Sequence, residues 1–139
     1  NPANVDAEVA RRVCASMMEP LVCRSILLQF GRWIAGGRWR SPDGSFDFLE
    51  HLKDIHTPLL IIAGSGDRMA PAPSVRPAFD LVSSGDKTYR EFGTSSGYAV
   101  DYGHGDLIFG RQAPSAVFPG IDEWLQQHST LLKDEMKED

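Results

Sequence analysis

A chain of 139 residues, 42% apolar and 24% charged, has the composition of one globular domain or a piece of one. A net charge of −5, with basic residues scattered apart from Arg38 and Arg40 around Trp39, argues against a nucleic-acid partner. No stretch approaches the roughly 20 consecutive apolar residues of a membrane span, so none is expected.

The chain opens on Asn1-Pro2 without an initiator Met, which suggests that something has been removed upstream. Val5 to Met18 then reads as a helix. Val5, Val9, Val13 and Met17 recur every fourth position, with Asn4 as N-cap and Asp6 in the first turn. Pro20 interrupts the pattern, and Leu21 to Ala35 forms a second helix that is apolar at Ile26, Leu27, Phe30, Trp33 and Ile34. Gly36-Gly37 ends it. These stripes read as core, or as a lid over an apolar pocket. Cys14 and Cys23 make neither a disulfide framework nor a metal-ligand pattern. Lying in apolar helical patterns, they are expected as buried free thiols in a reducing, cytoplasmic compartment.

Ser41-Pro42-Asp43-Gly44 is a turn, and Phe46 to Leu52 a short helix. Leu59 to Ala63 is an unbroken apolar run with β-branched residues at its centre, bounded by Pro58 and Gly64. It reads as a strand buried on both faces of a parallel sheet. Pro71 and Pro73 keep the next stretch extended, and Ser74 caps a helix from about Val75 to Val82. Lys87 to Phe92 alternates as a second strand, with Tyr89 and Arg90 on opposite faces. A Gly- and Ser-rich loop, Gly93 to Gly105, carries His104. Ala116 to His128 places Val117, Ile121, Trp124 and Leu125 on one helical face, and Lys133 to Asp139 is a charged tail. The alternation of strands and helices predicts an α/β fold. Two strands alone are a marginal sheet, which argues for the C-terminal part of a larger one.

The chemistry concentrates at the strand ends. Asp67 follows the first strand on a glycine-flanked turn, where it is either a turn cap or a site carboxylate. His104 lies in the loop after the second. Loops at the same ends of neighbouring parallel strands open on one sheet edge, so Asp67 can reach an imidazole nitrogen of His104 and orient it. Asp101 and Asp106 are competing partners. Gly93-Thr94-Ser95-Ser96-Gly97 matches Gly-x-Ser-x-Gly but lacks the helix that a nucleophile elbow must enter, so Ser95 is not taken as the nucleophile. A dinucleotide reading of Gly64-Ser65-Gly66 fails because the third glycine would fall at Met69. No cofactor and no metal are expected.

The segment Pro58 to Asp67, followed by Pro71, resembles the acid-bearing strand and turn of the α/β-hydrolases. Asp101-Tyr102-Gly103-His104-Gly105-Asp106-Leu107-Ile108-Phe109-Gly110 resembles their histidine loop, most closely in the lipase-like branch, and Ala116 to Trp124 fits their final helix. The resemblance covers about Ile55 to Gln127, and Asn1 to Trp39 fits the helical cap inserted before the acid strand. It implies the C-terminal part of the hydrolase sheet with flanking helices. Residues 1–40 would be cap-like, 41–130 would be core, and 131–139 a tail. It also implies Asp67 as triad acid, His104 as general base, and a serine elbow and oxyanion hole outside this sequence. The implied activity is hydrolysis of a small-molecule carboxylic ester, lipid-like if Val22, Leu28, Phe30, Trp33 and Ile34 line an acyl pocket. The same acid and base would serve an acyltransferase or polyester synthase. The alternative from another class is a non-catalytic scaffold or interaction domain, with homo-oligomers formed through its exposed sheet edge.

Overall fold

The computed structural model describes residues 1, 3–17 and 23–129, and Pro20, Leu21, Val22 and the charged tail lie outside them. In chain order the elements are α1 (Ala7–Met17), α2 (Arg24–Gly36), a 3-10 turn (Leu52–Asp54), β1 (Leu59–Gly64) and α3 (Ala72–Leu81). β2 (Lys87–Phe92), a second 3-10 turn (Thr94–Ser96), α4 (Asp106–Phe109), α5 (Ala113–Ala116) and α6 (Phe118–His128) follow. The fold is mixed α/β, with a parallel sheet of two strands among the described residues.

β1 and β2 pair in parallel from Leu59 with Lys87 to Gly64 with Phe92. Period-two alternation then sorts the side chains. Ile62, Arg90 and Phe92 face α6. Ile62 packs on a core of Phe92, Tyr102, Leu107, Ala113 and Val117, and Arg90 Nη1 donates to the Gly120 carbonyl at 3.0 Å. On the other face Tyr89 meets Phe79 of α3 edge-on, 5.8 Å between ring centres. Lys87 Nζ donates to the carbonyls of Phe79 and Val82 at 2.8 and 2.6 Å, satisfying acceptors at the end of α3. α3 is the crossover that a parallel pair requires, and α6 covers the opposite face. The outer edge of β1 has no strand beside it among the described residues. Pro58, Leu60, Ile62, Trp124 and Leu125 border an open apolar groove there.

Several expected details change. Asp6, not Asn4, caps α1, because its Oδ1 accepts the Glu8 and Val9 N–H groups at 2.9 and 3.4 Å. Asn4 is instead buried beneath the loop after α4, with its carbonyl accepting the Arg111 N–H at 2.6 Å. Residues 46–52 do not form a helix. Arg40 and Asp47 form an antiparallel bridge around the Ser41–Ser45 turn. Asp47 Oδ1 then captures the Leu49 N–H at 3.1 Å, so local side-chain bonds outcompete the helix. α3 starts at Ala72, three residues earlier than expected. Pro73 sits in its first turn, where a missing N–H costs nothing, and Ser74 is inside the helix rather than its cap. The final helix begins at Phe118 instead of Ala116, preceded by the separate single turn α5, and Leu125 is exposed, not on the packed face.

The largest correction concerns α1 and α2. Gly37 in left-handed backbone (φ 60°) ends α2 as expected, but α2 buries no residue. Cys14 and Cys23 are exposed, not buried thiols. The helical periodicity is present, yet among the described residues neither helix packs extensively on the sheet or α6, and Trp33 finds only local partners in Trp39 and Phe48. No helix among the described residues is long and apolar enough to cross a membrane.

Candidate active site

The site lies where the loops after β1 and β2 meet. Their register places Gly64 beside Phe92, so both chains leave the sheet at the same level. Ser65 N–H continues the ladder to the Phe92 carbonyl at 2.9 Å, and Gly66 N–H donates to the Tyr102 carbonyl at 2.9 Å. Asp101 then pins the junction. One of its oxygens, Oδ1, accepts from Ser65 Oγ at 2.8 Å, from Thr94 N–H at 2.9 Å and from Thr94 Oγ1 at 2.8 Å. Those bonds hold the Asp101 carboxyl below the usual carboxylate range, the Thr94 N–H first among them.

This frame brings Asp67 and His104 together. Asp67 Oδ1 accepts the N–H groups of Met69 and Ala70 at 2.8 and 2.9 Å, an Asx-type turn that fixes the carboxylate plane. The other oxygen, Oδ2, lies 2.8 Å from His104 Nδ1. The Asp67 side chain is 4% exposed and that of His104 55%. Burial works to raise the Asp67 pKa, but the bonds from Ala70, His104 and Met69 outweigh it and hold the group below its ordinary value. The histidine loop is set by Asp106, buried, whose Oδ2 accepts the Gly103 N–H at 3.0 Å.

The competition among three carboxylates is therefore resolved by the contacts each already makes. Asp101 is committed to Ser65 and Thr94, Asp106 to Gly103, and Asp67 faces the imidazole. An ionised carboxylate on Nδ1 favours the tautomer with the proton at Nδ1 and the lone pair at Nε2. No hydrogen bond to Nε2 occurs among the described residues, and His104 borders an open depression of about 640 Å³. Gly66, Arg68, Met69, Asp101 and Gly103 line it too. Such a pair can accept a proton from a hydroxyl or thiol brought to Nε2 and stabilise the imidazolium that forms.

No family model, no curated protein and no solved structure matches this chain.

Ser95 does not enter this arrangement as an elbow serine. It is the middle residue of a single 3-10 turn closed by Gly97 at φ 88°. No non-glycine residue among those described has positive φ, so Ser95 lacks the strained backbone of an elbow, and the next helix waits until Asp106. The expected acyl pocket does not form at His104 either. Leu28, Phe30 and Ile34 are exposed, and Val22 lies outside the described residues. Trp33 lines a separate depression that shares no residue with the one at His104.

Sequence reasoning missed the pinning role of Asp101 and the burial of Tyr102, because a carboxylate in a Gly/Ser loop looks alike whether it binds backbone or an imidazole. Asp101→Ala leaves the Ser65 and Thr94 donors without their common acceptor. The Thr94 amide is expected to exchange with solvent at least roughly tenfold faster. Hydrogen exchange read by NMR checks this, with the α3 amides as an unchanged reference.

Proposed function

We propose that this chain is the acid-and-base portion of an α/β-hydrolase, with Asp67 orienting His104 as general base for acyl transfer from a carboxylic ester to water. The observation that carries the reading is the 2.8 Å contact between Asp67 Oδ2 and His104 Nδ1, made by loops that follow two adjacent parallel strands. The outer edge of β1, unpaired among the described residues, supports a sheet that continues into further strands, where an elbow serine and oxyanion donors belong. Hydrolysis then proceeds in two steps. The serine oxygen attacks the ester carbonyl as His104 Nε2 takes its proton, and that proton passes to the departing alcohol. Water then attacks the acyl-enzyme with the same base, which returns the proton to serine. Asp67 stays ionised throughout and stabilises the imidazolium. A non-catalytic scaffold is the second reading, favoured by the apolar groove along the open β1 edge.

One experiment separates these readings. The chain, Ser95→Ala and His104→Gln are treated with a fluorophosphonate and weighed intact, and each is assayed on p-nitrophenyl butyrate. The expected result is no stoichiometric serine adduct, with slow hydrolysis that drops to the level of the other histidines in His104→Gln. An adduct that vanishes in Ser95→Ala would move the nucleophile to Gly93–Gly97. Hydrolysis indifferent to His104 would leave the scaffold reading standing.

A further inference from the structure

The most unusual surface of the molecule is α2 and the turn that follows it. Residues 20–42 hold Arg24, Arg32, Arg38 and Arg40 and not one Asp or Glu, in a chain whose net charge is −5. On α2, Ile26, Leu27, Phe30 and Ile34 share one helical stripe, and all four are exposed, Ile34 by 82% and Leu27 by 60%. At the helix end Trp33 and Trp39 stack with ring centres 5.9 Å apart, and Trp33 Nε1 donates to the Arg40 carbonyl at 2.7 Å. Beside the tryptophans lies a depression of about 520 Å³ bordered by Gln29, Arg32, Trp33, Arg38, Arg40 and Asp43. Asp47 offsets part of its charge, 3.2 Å from Arg40 Nε and 3.8 Å from Arg38 Nη1. The oxygens of Asp43 are taken by Ser41 and Ser45. Arg24 and Arg32 form no ion pair among the described residues, and the patch stays net positive.

We propose that α2 and the Trp39 turn lie flat on an anionic lipid surface, with the apolar stripe in the acyl boundary and the guanidiniums on headgroup phosphates. Arg24 borders the stripe one turn from Leu27, Arg38 and Arg40 follow its far end, and Arg32 is on the opposite face. The occupant must therefore offer hydrocarbon with negative charge at its margins, and a lipid interface does so. Stacked tryptophans at the margin of the stripe suit the headgroup level, where amphipathic rings collect. A second copy is disfavoured, because pairing two such faces would set arginines against arginines. The helix lies on the membrane and does not span it. The inference is independent of the Asp67–His104 reading.

The test is co-sedimentation of the chain with vesicles of phosphatidylcholine, alone or mixed with phosphatidylserine. Far-UV circular dichroism checks that each variant folds. Binding is expected to the mixed vesicles only, to weaken with salt, and to fall about fivefold for each arginine removed in Arg24→Gln and Arg38→Gln. Ile34→Asp, at a position too exposed to support the fold, is expected to lower it roughly tenfold or more. Binding that ignores both the arginines and Ile34 overturns the proposal, as does no binding to either vesicle. If the chain instead self-associates and Ile34→Asp abolishes this, the stripe is covered by a second copy and the proposal is equally overturned.

Discussion

Gly64→Ala is expected to destabilise the fold by about 3 kcal/mol, the upper range for forcing a methyl into packed surroundings. A Cβ on Gly64 would land on the Tyr102 carbonyl oxygen, with Tyr102 C and Cβ immediately behind it at 3.0 and 3.3 Å. The obstacle is backbone, so no rotamer change relieves it. The chain can yield only by separating the two loops, which also breaks the Gly66 N–H bond to the Tyr102 carbonyl. The site would be lost with the fold, since that bond helps hold His104 over Asp67. Urea unfolding checks this, with Gly85→Ala as control because a Cβ there meets nothing within 4 Å. The control is expected within about 0.5 kcal/mol of the parent.

Asp67→Ala removes the acceptor of two backbone N–H groups and the partner of His104 in one step. A loss of about 2 kcal/mol is expected, comparable to deleting a strong helix cap. The exposed imidazole adds little, because water screens it. Asp67→Asn separates structure from chemistry. Its amide oxygen still accepts from Met69 and Ala70, but its NH2 now faces Nδ1. The imidazole proton should therefore move to Nε2, the reverse of what a base needs. Nitrogen-15 NMR of His104 is expected to show the tautomers exchanged, with His104-dependent ester hydrolysis falling to the His104→Gln level. An unchanged tautomer in Asp67→Asn would mean that Asp67 does not orient the ring.

The acid limb of stability carries the same signature. The folded pKa of Asp67 lies below its ordinary value of 3.8. Its ionised form therefore contributes stability that is complete above about pH 4 to 5 and lost as pH falls through the folded value. In Asp67→Asn that part of the acid dependence should disappear. Asp43, held at about 2 first by its Ser41 bond, should keep its own contribution in both proteins.

Neighbouring residues set most of the local elements, the stretch 46–52 excepted, where the Asp47 side chain captures the Leu49 N–H. Leu59 to Ala63 is apolar and β-branched at its centre, and Lys87 to Phe92 alternates, so both strands were legible within their own residues. The meeting of Asp67 and His104 was legible too, since consecutive parallel strands leave their loops at one sheet edge. The tertiary structure decided what those elements face. Which of Asp67, Asp101 and Asp106 serves the imidazole depends on donors brought from other loops, such as Ser65 and Thr94. The stripes of α1 and α2 show the helical period but not the packing, so Cys14, Cys23 and Ile34 emerge exposed where burial was expected. Periodicity is written into a few neighbouring residues, whereas burial and partner choice depend on surfaces that only the folded chain brings together.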